Sequence, residues 1–393
     1  MSKDSPGAVF ALFRSHPEGL TKTEVARLAG LSRTAVNQRI EALLAQSLIV
    51  PSSQDANTGG RPADRFDVNP ERGVVLIADT GATGMRVALA DAVAGLIGEQ
   101  HVVIDITDGP RAVLDQVTGR FARLLELAGR SKAEVLGIGL SVPGPVDAAS
   151  GRVVNPPIMT GWHDYDIVAR FAADYDCPVV VDKDVNAMAY GEHRLTHPDT
   201  PNIVFVKIGT GIGTGLIVDG RIYRGSDGAA GDVGHIPLAA AGVTDPPVCR
   251  CGNTGCVEAY AGGWAMVRDL RALGHRVDSV HDVVDEAHAG NPDTIRIVKR
   301  AAVIVGMAIS DIVNILNPRK VVIGGQLAAI DDVLFAGVRE AVYGRSLPLA
   351  TRNLTIVPSV LEDRAGVHGL TRLVTDAVFA PDRVDRLIRA VTR

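Results

Sequence analysis

Residues 225–258 read GSDGAAGDVGHIPLAAAGVTDPPVCRCGNTGCVE. His235 is followed, across a proline-bearing loop, by Cys249, Cys251 and Cys256. One imidazole and three thiolates complete a tetrahedral zinc set and leave no position for water, which marks a structural ion rather than a catalytic one. Gly252 and Gly255 permit the tight turn that this cysteine spacing needs. Asp232 stands just before His235 and Glu258 just after Cys256, so a metal that fixed the loop would also fix two carboxylates around a polar pocket. A buried cysteine pair beside an unrelated histidine is the alternative reading of the same residues.

Gly234-His235, then Cys249-Arg250-Cys251-Gly252-Asn253-Thr254-Gly255-Cys256-Val257-Glu258, resembles the signature of the ROK family. That family groups bacterial sugar kinases, sugar-responsive repressors and other relatives. The resemblance implies an α/β fold with two lobes, of the actin-like and hexokinase-like (ribonuclease H-like) kind.

The bulk properties agree with a multidomain globular chain. At 393 residues it exceeds what one hydrophobic core serves. Its net charge of -5 supplies no general basic field, so any DNA contact is local. No leader-like or membrane-length apolar run is present, and Cys177 is the only cysteine outside the cluster. That is reduced-compartment usage, which predicts a cytoplasmic protein with no membrane partner; the family resemblance implies a bacterial one.

The first seventy residues predict a winged helix-turn-helix. Ala8, Val9, Leu12 and Phe13 recur at helical spacing. Thr21 and Glu24 form a capping box for a second helix, Ala29-Gly30-Leu31 makes a turn, and Ser32 caps a third helix. Burying Val36, Ile40 and Leu43 or Leu44 leaves Arg33, Thr34, Asn37 and Gln38 exposed near the start of that helix. There they are placed to read base edges in the major groove. Two short strands around Gly59-Gly60-Arg61-Pro62 predict a wing, with Arg61 at its tip as a DNA contact. ROK repressors resemble this whole segment, whereas ROK kinases generally lack it. A small helical domain that binds another protein is the competing reading.

The remainder divides, on this reading, into a DNA-binding domain at 1–70, a first α/β lobe at 71–190 and a second at 191–393 that carries the zinc loop, 235–258. Asp79, Gly81 and Thr83 on a hairpin tip, and Gly209, Gly211 and Gly213 in a second glycine-rich turn, match the family's two phosphate loops. Ala82 and Gly84 replace the glycine and lysine usual in the kinases, which weakens any case for ATP. Gly144, Asn155, Lys183, Asp184, Asn186, Asp232, His235 and Glu258 match the positions that line the sugar pocket, with Trp162 beside Asn155 as an apolar wall. Asp184 matches the kinases' general base. Lys183 replaces an asparagine, which admits an anionic ligand, a solvated lysine or a structural ion pair with Asp182.

The reading that results is a sequence-specific DNA-binding regulator, a homodimer or homotetramer on an operator, controlled by a sugar or sugar derivative and built around structural Zn2+. An ATP- and Mg2+-dependent sugar kinase with a fused DNA-binding domain is the alternative.

Overall fold

The computed structural model describes residues 4–52, 65–147, 149–238 and 245–391. Helix α1 (Pro6–Arg14) starts on a Ser5 cap, with Pro6 in its first turn where a missing N–H costs nothing. Strand β1 (Leu20–Thr21) leads into α2 (Lys22–Ala29). Thr21 Oγ1 accepts from the Glu24 amide at 3.2 Å, and Glu24 accepts from the Thr21 amide at 2.8 Å, completing the capping box. Gly30, left-handed at φ 68°, turns the chain into α3 (Arg33–Ala45), which Ser32 caps. Strand β2 (Ile49–Pro51) pairs antiparallel with β3 (Arg65–Val68). The expected two-stranded wing gains a third member, because β1 pairs with the other edge of β3. The wing tip with Gly59, Gly60, Arg61 and Pro62 lies outside the described residues.

Next come β4 (Val74–Thr80), β5 (Gly84–Asp91), β6 (Leu96–Val103), α4 (Pro110–Leu127), β7 (Val135–Val142), α5 (Ile167–Ala172) and β8 (Val179–Lys183). They form one sheet ordered β6-β5-β4-β7-β8, with an antiparallel meander at one side and β7 and β8 added parallel to β4. Strand β4 is covered on both faces, which is why Val74 to Ala78 is an unbroken apolar run.

Helix α6 (Asp184–Thr196) leads to β9 (Ile203–Ile208), β10 (Ile212–Val218), β11 (Arg221–Ile222), α7 (Val257–Ala261), α8 (Gly263–Ala272), α9 (Val280–His288) and α10 (Pro292–Leu316). After these stand β12 (Lys320–Gly324), α11 (Asp332–Arg345), α12 (Pro348–Thr351) and β13 (Thr355–Pro358). The second sheet, β11-β10-β9-β12-β13, repeats the strand order and directions of the first. Two sheets of one topology, with functional loops at the strand ends, make a two-lobed cleft.

Helix α13 (Ala365–Val378) lies against α6 almost backbone to backbone. A Cβ at Gly369 would fall 1.7 Å from the Ala187 carbonyl oxygen, and one at Gly191 would fall 2.2 Å from that of Ala365. Val367, Leu370 and Val374 pack on Val75 and Ile77 of the first sheet. The last helix, α14 (Pro381–Val391), docks on α1: the Gly7 amide donates to Asp385 at 2.7 Å, and Phe10 meets Phe379 edge-on. The linear division into lobes at 71–190 and 191–393 therefore needs correction. Its boundary falls inside α6, and the chain from Val367 onward packs on the first lobe and on α1. The small glycine contacts that allow this return carry no local signal.

Candidate functional site

The metal cluster is assembled as its spacing implies. His235 ends a short 3-10 turn (Val233–His235), and bridges from Pro237 to Cys256 and from Val248 to Thr254 fold the loop back on itself. Gly252 and Gly255 take left-handed φ values of 91° and 74° at the bend. The ligand atoms of His235, Cys249, Cys251 and Cys256 all lie within 4.8 Å of one another. His235 Nδ1 is 3.7 Å from Cys249 Sγ, and Cys251 Sγ is 3.7 Å from Cys256 Sγ. The edge of a tetrahedron with Zn–S bonds of about 2.3 Å is roughly 3.8 Å, so the donor set fits a zinc-sized tetrahedral ion. Burial and the neighbouring thiols push the Cys256 thiol up to about 12, so only a cation would hold it as thiolate.

The cleft residues form a linked set of ion pairs. Lys183, at the end of β8, is buried, and its ammonium donates to Asp232 at 2.9 Å and to the Ala230 carbonyl at 2.8 Å. The pairing with Asp182 weighed from the sequence is not what forms. Asp182 instead accepts from Arg224 Nε at 3.0 Å and Nη2 at 2.5 Å, and from Asn186 Nδ2 at 2.7 Å. Asp184, at the start of α6, accepts from the Val185 amide and from Lys207 Nζ at 2.5 Å. Burial works against the Lys207 charge, but Asp184 and then Asp79 hold this ammonium above the ordinary lysine range. Asp79 accepts from Ser141 Oγ, and burial raises its carboxyl to about 6. Glu258 accepts from the Ile212 amide at 2.9 Å and from Trp264 Nε1 at 3.0 Å.

The structure revises three expectations here. Trp162 is fully buried and donates Nε1 to the Ile106 carbonyl at 3.1 Å, so it is a core residue and not a wall of the cleft. Asn155 is exposed at φ 43°, with its amide donating to His163 Nδ1 at 3.2 Å, while Gly144 is packed against Met159 and Pro156. The second glycine-rich turn stops at Gly211. Gly213 and Gly215 belong to β10, where a Cβ at Gly215 would lie 2.5 Å from the Val185 carbonyl oxygen. Those glycines admit α6 rather than phosphate. Both presumed phosphate loops also close on themselves, with the Gly81 amide donating to Gly84 O at 2.8 Å and the Gly209 amide to Gly211 O at 3.0 Å. Thr83 is exposed at the first tip.

At the other end of the molecule Val36, Ile40 and Leu43 are buried, and Arg33, Thr34, Asn37 and Gln38 are exposed together on α3. Lys207 and Arg224 went unnoticed in the sequence. The available signal was a single lysine in Ile203–Ile208, a strand otherwise wholly apolar.

A winged helix-turn-helix followed by two lobes of one topology, with polar residues gathered at the cleft, defines a sugar-kinase-type fold carrying a DNA-binding-type domain. The ROK family profile matches residues 75–377, and the chain belongs to the ROK family. The xylose repressor of Bacillus spizizenii is 26% identical over 358 residues, which cover 91% of each chain. The glucokinase of Halalkalibacterium halodurans is 28% identical over 306 residues, covering 74% of this chain and 92% of its own. A solved ROK family transcriptional regulator, a homologue of the E. coli MLC protein, shares the fold at a TM-score of 0.82 and 22% identity over 98% of both chains.

Proposed function

We propose that the chain is a DNA-binding transcriptional repressor of carbohydrate genes whose cleft senses a sugar. One observation carries the proposal. The likeness to the repressor runs through the winged helix-turn-helix and covers 91% of both chains, whereas the likeness to the glucokinase covers 92% of that enzyme but 74% of this chain. On this reading Arg33, Thr34, Asn37 and Gln38 read bases, Arg61 contacts the duplex from the wing, and a homodimer or homotetramer aligns two half-sites. Asn186, Asp232, His235 and Glu258 contact the sugar, and Zn2+ on His235, Cys249, Cys251 and Cys256 holds the loop that carries Asp232, His235 and Glu258. Ligand acts by favouring one of two arrangements of the lobes and the DNA-binding domain. Among the described residues no helix is long and apolar enough to cross a membrane.

Selection of binding sites from a random duplex pool tests the proposal. The expected product is a palindromic sequence, bound with steep salt dependence and altered affinity when sugar is added. A protein that enriches no sequence is not this repressor.

The kinase alternative draws on Asp184, which stands at the start of α6 as a catalytic base would. Lys207 neutralises it, and the Gly81 and Gly209 amides are engaged internally, so phosphoryl transfer is the weaker reading. ADP formation from ATP, Mg2+ and a sugar, lost in Asp184→Asn, would restore it.

A further inference from the structure

Lys183 was the one feature in the sequence that pointed to an anionic ligand, and the structure gives it a partner. The charges in and under the cleft can be counted pair by pair. Lys183 is bound to Asp232, Lys207 to Asp184, and Arg224 to Asp182 with two nitrogens. Among the described residues two carboxylates have no directly bonded cation, Lys207 acting on Asp79 only at longer range. Asp79 accepts from a serine hydroxyl, and Glu258 from an amide and an indole. The nearby Arg250 lies over the Trp264 ring at 4.9 Å, on the metal loop between two of the cysteines.

Hydrogen-bonding capacity tilts the same way. Asn186 is 1% exposed; its Nδ2 donates to Asp182, and its Oδ1 is a buried acceptor with no donor. A buried acceptor left unmatched is costly, and a ligand hydroxyl or N–H relieves that cost. Asp232 pairs with Lys183 through Oδ1, so its Oδ2 is a further acceptor, whereas both oxygens of Asp182 and of Asp184 are already engaged. A phosphate or carboxylate brings only acceptors and negative charge to such a place.

We infer that the effector is a hydroxyl-rich sugar carrying no negative charge, and that Lys183 and Lys207 are internal counter-ions that exclude sugar phosphates and sugar acids. This rests on the sugar-sensing reading above and names the ligand class of the same cleft. An anion entering here would have to draw Lys183 off Asp232, which is one-third exposed, or Lys207 off the buried Asp184, leaving that carboxylate unpaired. A neutral sugar leaves every pair intact and supplies the missing donors.

Calorimetric titration of the full chain tests the inference with matched compounds: D-xylose against D-xylonate, D-glucose against D-glucose 6-phosphate and D-glucuronate, and N-acetylglucosamine against N-acetylglucosamine 6-phosphate. At least one neutral sugar is expected to bind, with its charged derivative weaker by about tenfold or more. Asp232→Asn frees Lys183 and is expected to narrow that gap by strengthening the charged compounds. A phosphate or uronate that binds as tightly as its neutral parent overturns the inference and leaves sugar sensing standing. Asp232→Asn protein that folds, by its thermal melt, and keeps the full gap also overturns the counter-ion role. Absence of binding by every sugar overturns the sugar-sensing reading itself, and this inference with it.

Discussion

Tyr190 donates its hydroxyl to Asp376 Oδ2 at 2.5 Å, and Oδ1 of the same carboxylate accepts from Arg14 Nη2 at 2.6 Å. Tyr190 lies on α6, the helix that begins with Asp184; Asp376 lies on α13, and Arg14 lies on α1 of the DNA-binding-type domain. One carboxylate therefore joins the helix that opens in the cleft to the first helix of the chain. Burial, and then Asp376, raise the Tyr190 phenol above its usual range, so it remains a donor.

Asp376→Asn and Tyr190→Phe should each weaken the influence of sugar on DNA binding. The measured quantity is the ratio of DNA affinity with and without the sugar, which should move toward one in both variants. Linkage requires the influence of DNA on sugar affinity to fall by the same factor. Each variant should also lose roughly 1–3 kcal/mol of stability, as expected for a partly buried hydrogen bond to a charged group. An unchanged ratio in both would remove this carboxylate from the coupling route.

Removal of the metal should loosen the cleft as well as the loop. Cys256→Ala, or treatment with a strong chelator, should abolish bound zinc in elemental analysis. The expected destabilisation is large, above roughly 4 kcal/mol, because losing a metal is among the few changes that reach that size. Because Glu258 follows Cys256 by two residues, sugar affinity should fall too. Full stability in metal-free protein would mean that the four ligands serve another purpose.

Lys207 should matter most through its charge. Lys207→Met leaves Asp184 and Asp79 without their cation and should cost about 3 kcal/mol in denaturant unfolding. Adding Asp184→Asn should recover much of that loss, since the uncompensated carboxylate is then gone. A double variant as unstable as the sum of its parts would show that packing, not charge, is the role of Lys207.

Asn37 and Arg33 should govern sequence preference without touching the cleft. Alanine at either is expected to relax one base position of the selected site by about 1–3 kcal/mol, with sugar binding unaffected. Uniform weakening on all sequences would assign them to the phosphate backbone instead.

Asp79 should give the fold an acid-favoured component. Its carboxyl, at about 6 in the native protein against 3.8 unfolded, takes up a proton more readily when folded. The resulting stabilisation is complete below pH 3.8 and is lost as pH rises through 6. Melting curves of Asp79→Asn should lack that decline between the two values. A parallel profile in the variant would place the effect elsewhere.

Local chemistry was readable in the sequence, and long-range pairing was not. The capping box at Thr21, the Ser32 cap, the stripe on α3 and the cysteine knuckle each depend on residues a few positions apart, and each formed as read. Trp162 misled because a large ring beside a Pro-Gly loop fits a pocket wall and a core equally well. The partners of Lys183 and Asp182 lie 49 and 42 residues away, so no spacing rule could assign them. Strand β1 is two residues long and shows no alternation, and the shared topology of the two sheets leaves no trace as a sequence repeat.

The clasp of α14 on α1 also bears on how the molecule is made. The face of α1 formed by Gly7 and Phe10 is covered by residues 379–385, which a ribosome adds more than 360 residues later. During synthesis the first domain therefore waits, one apolar face still wet, until nearly the whole sensor has emerged. Its final seal comes from the same chain segment that joins it to the cleft helix, so the newborn DNA-binding domain is completed only together with the device that regulates it.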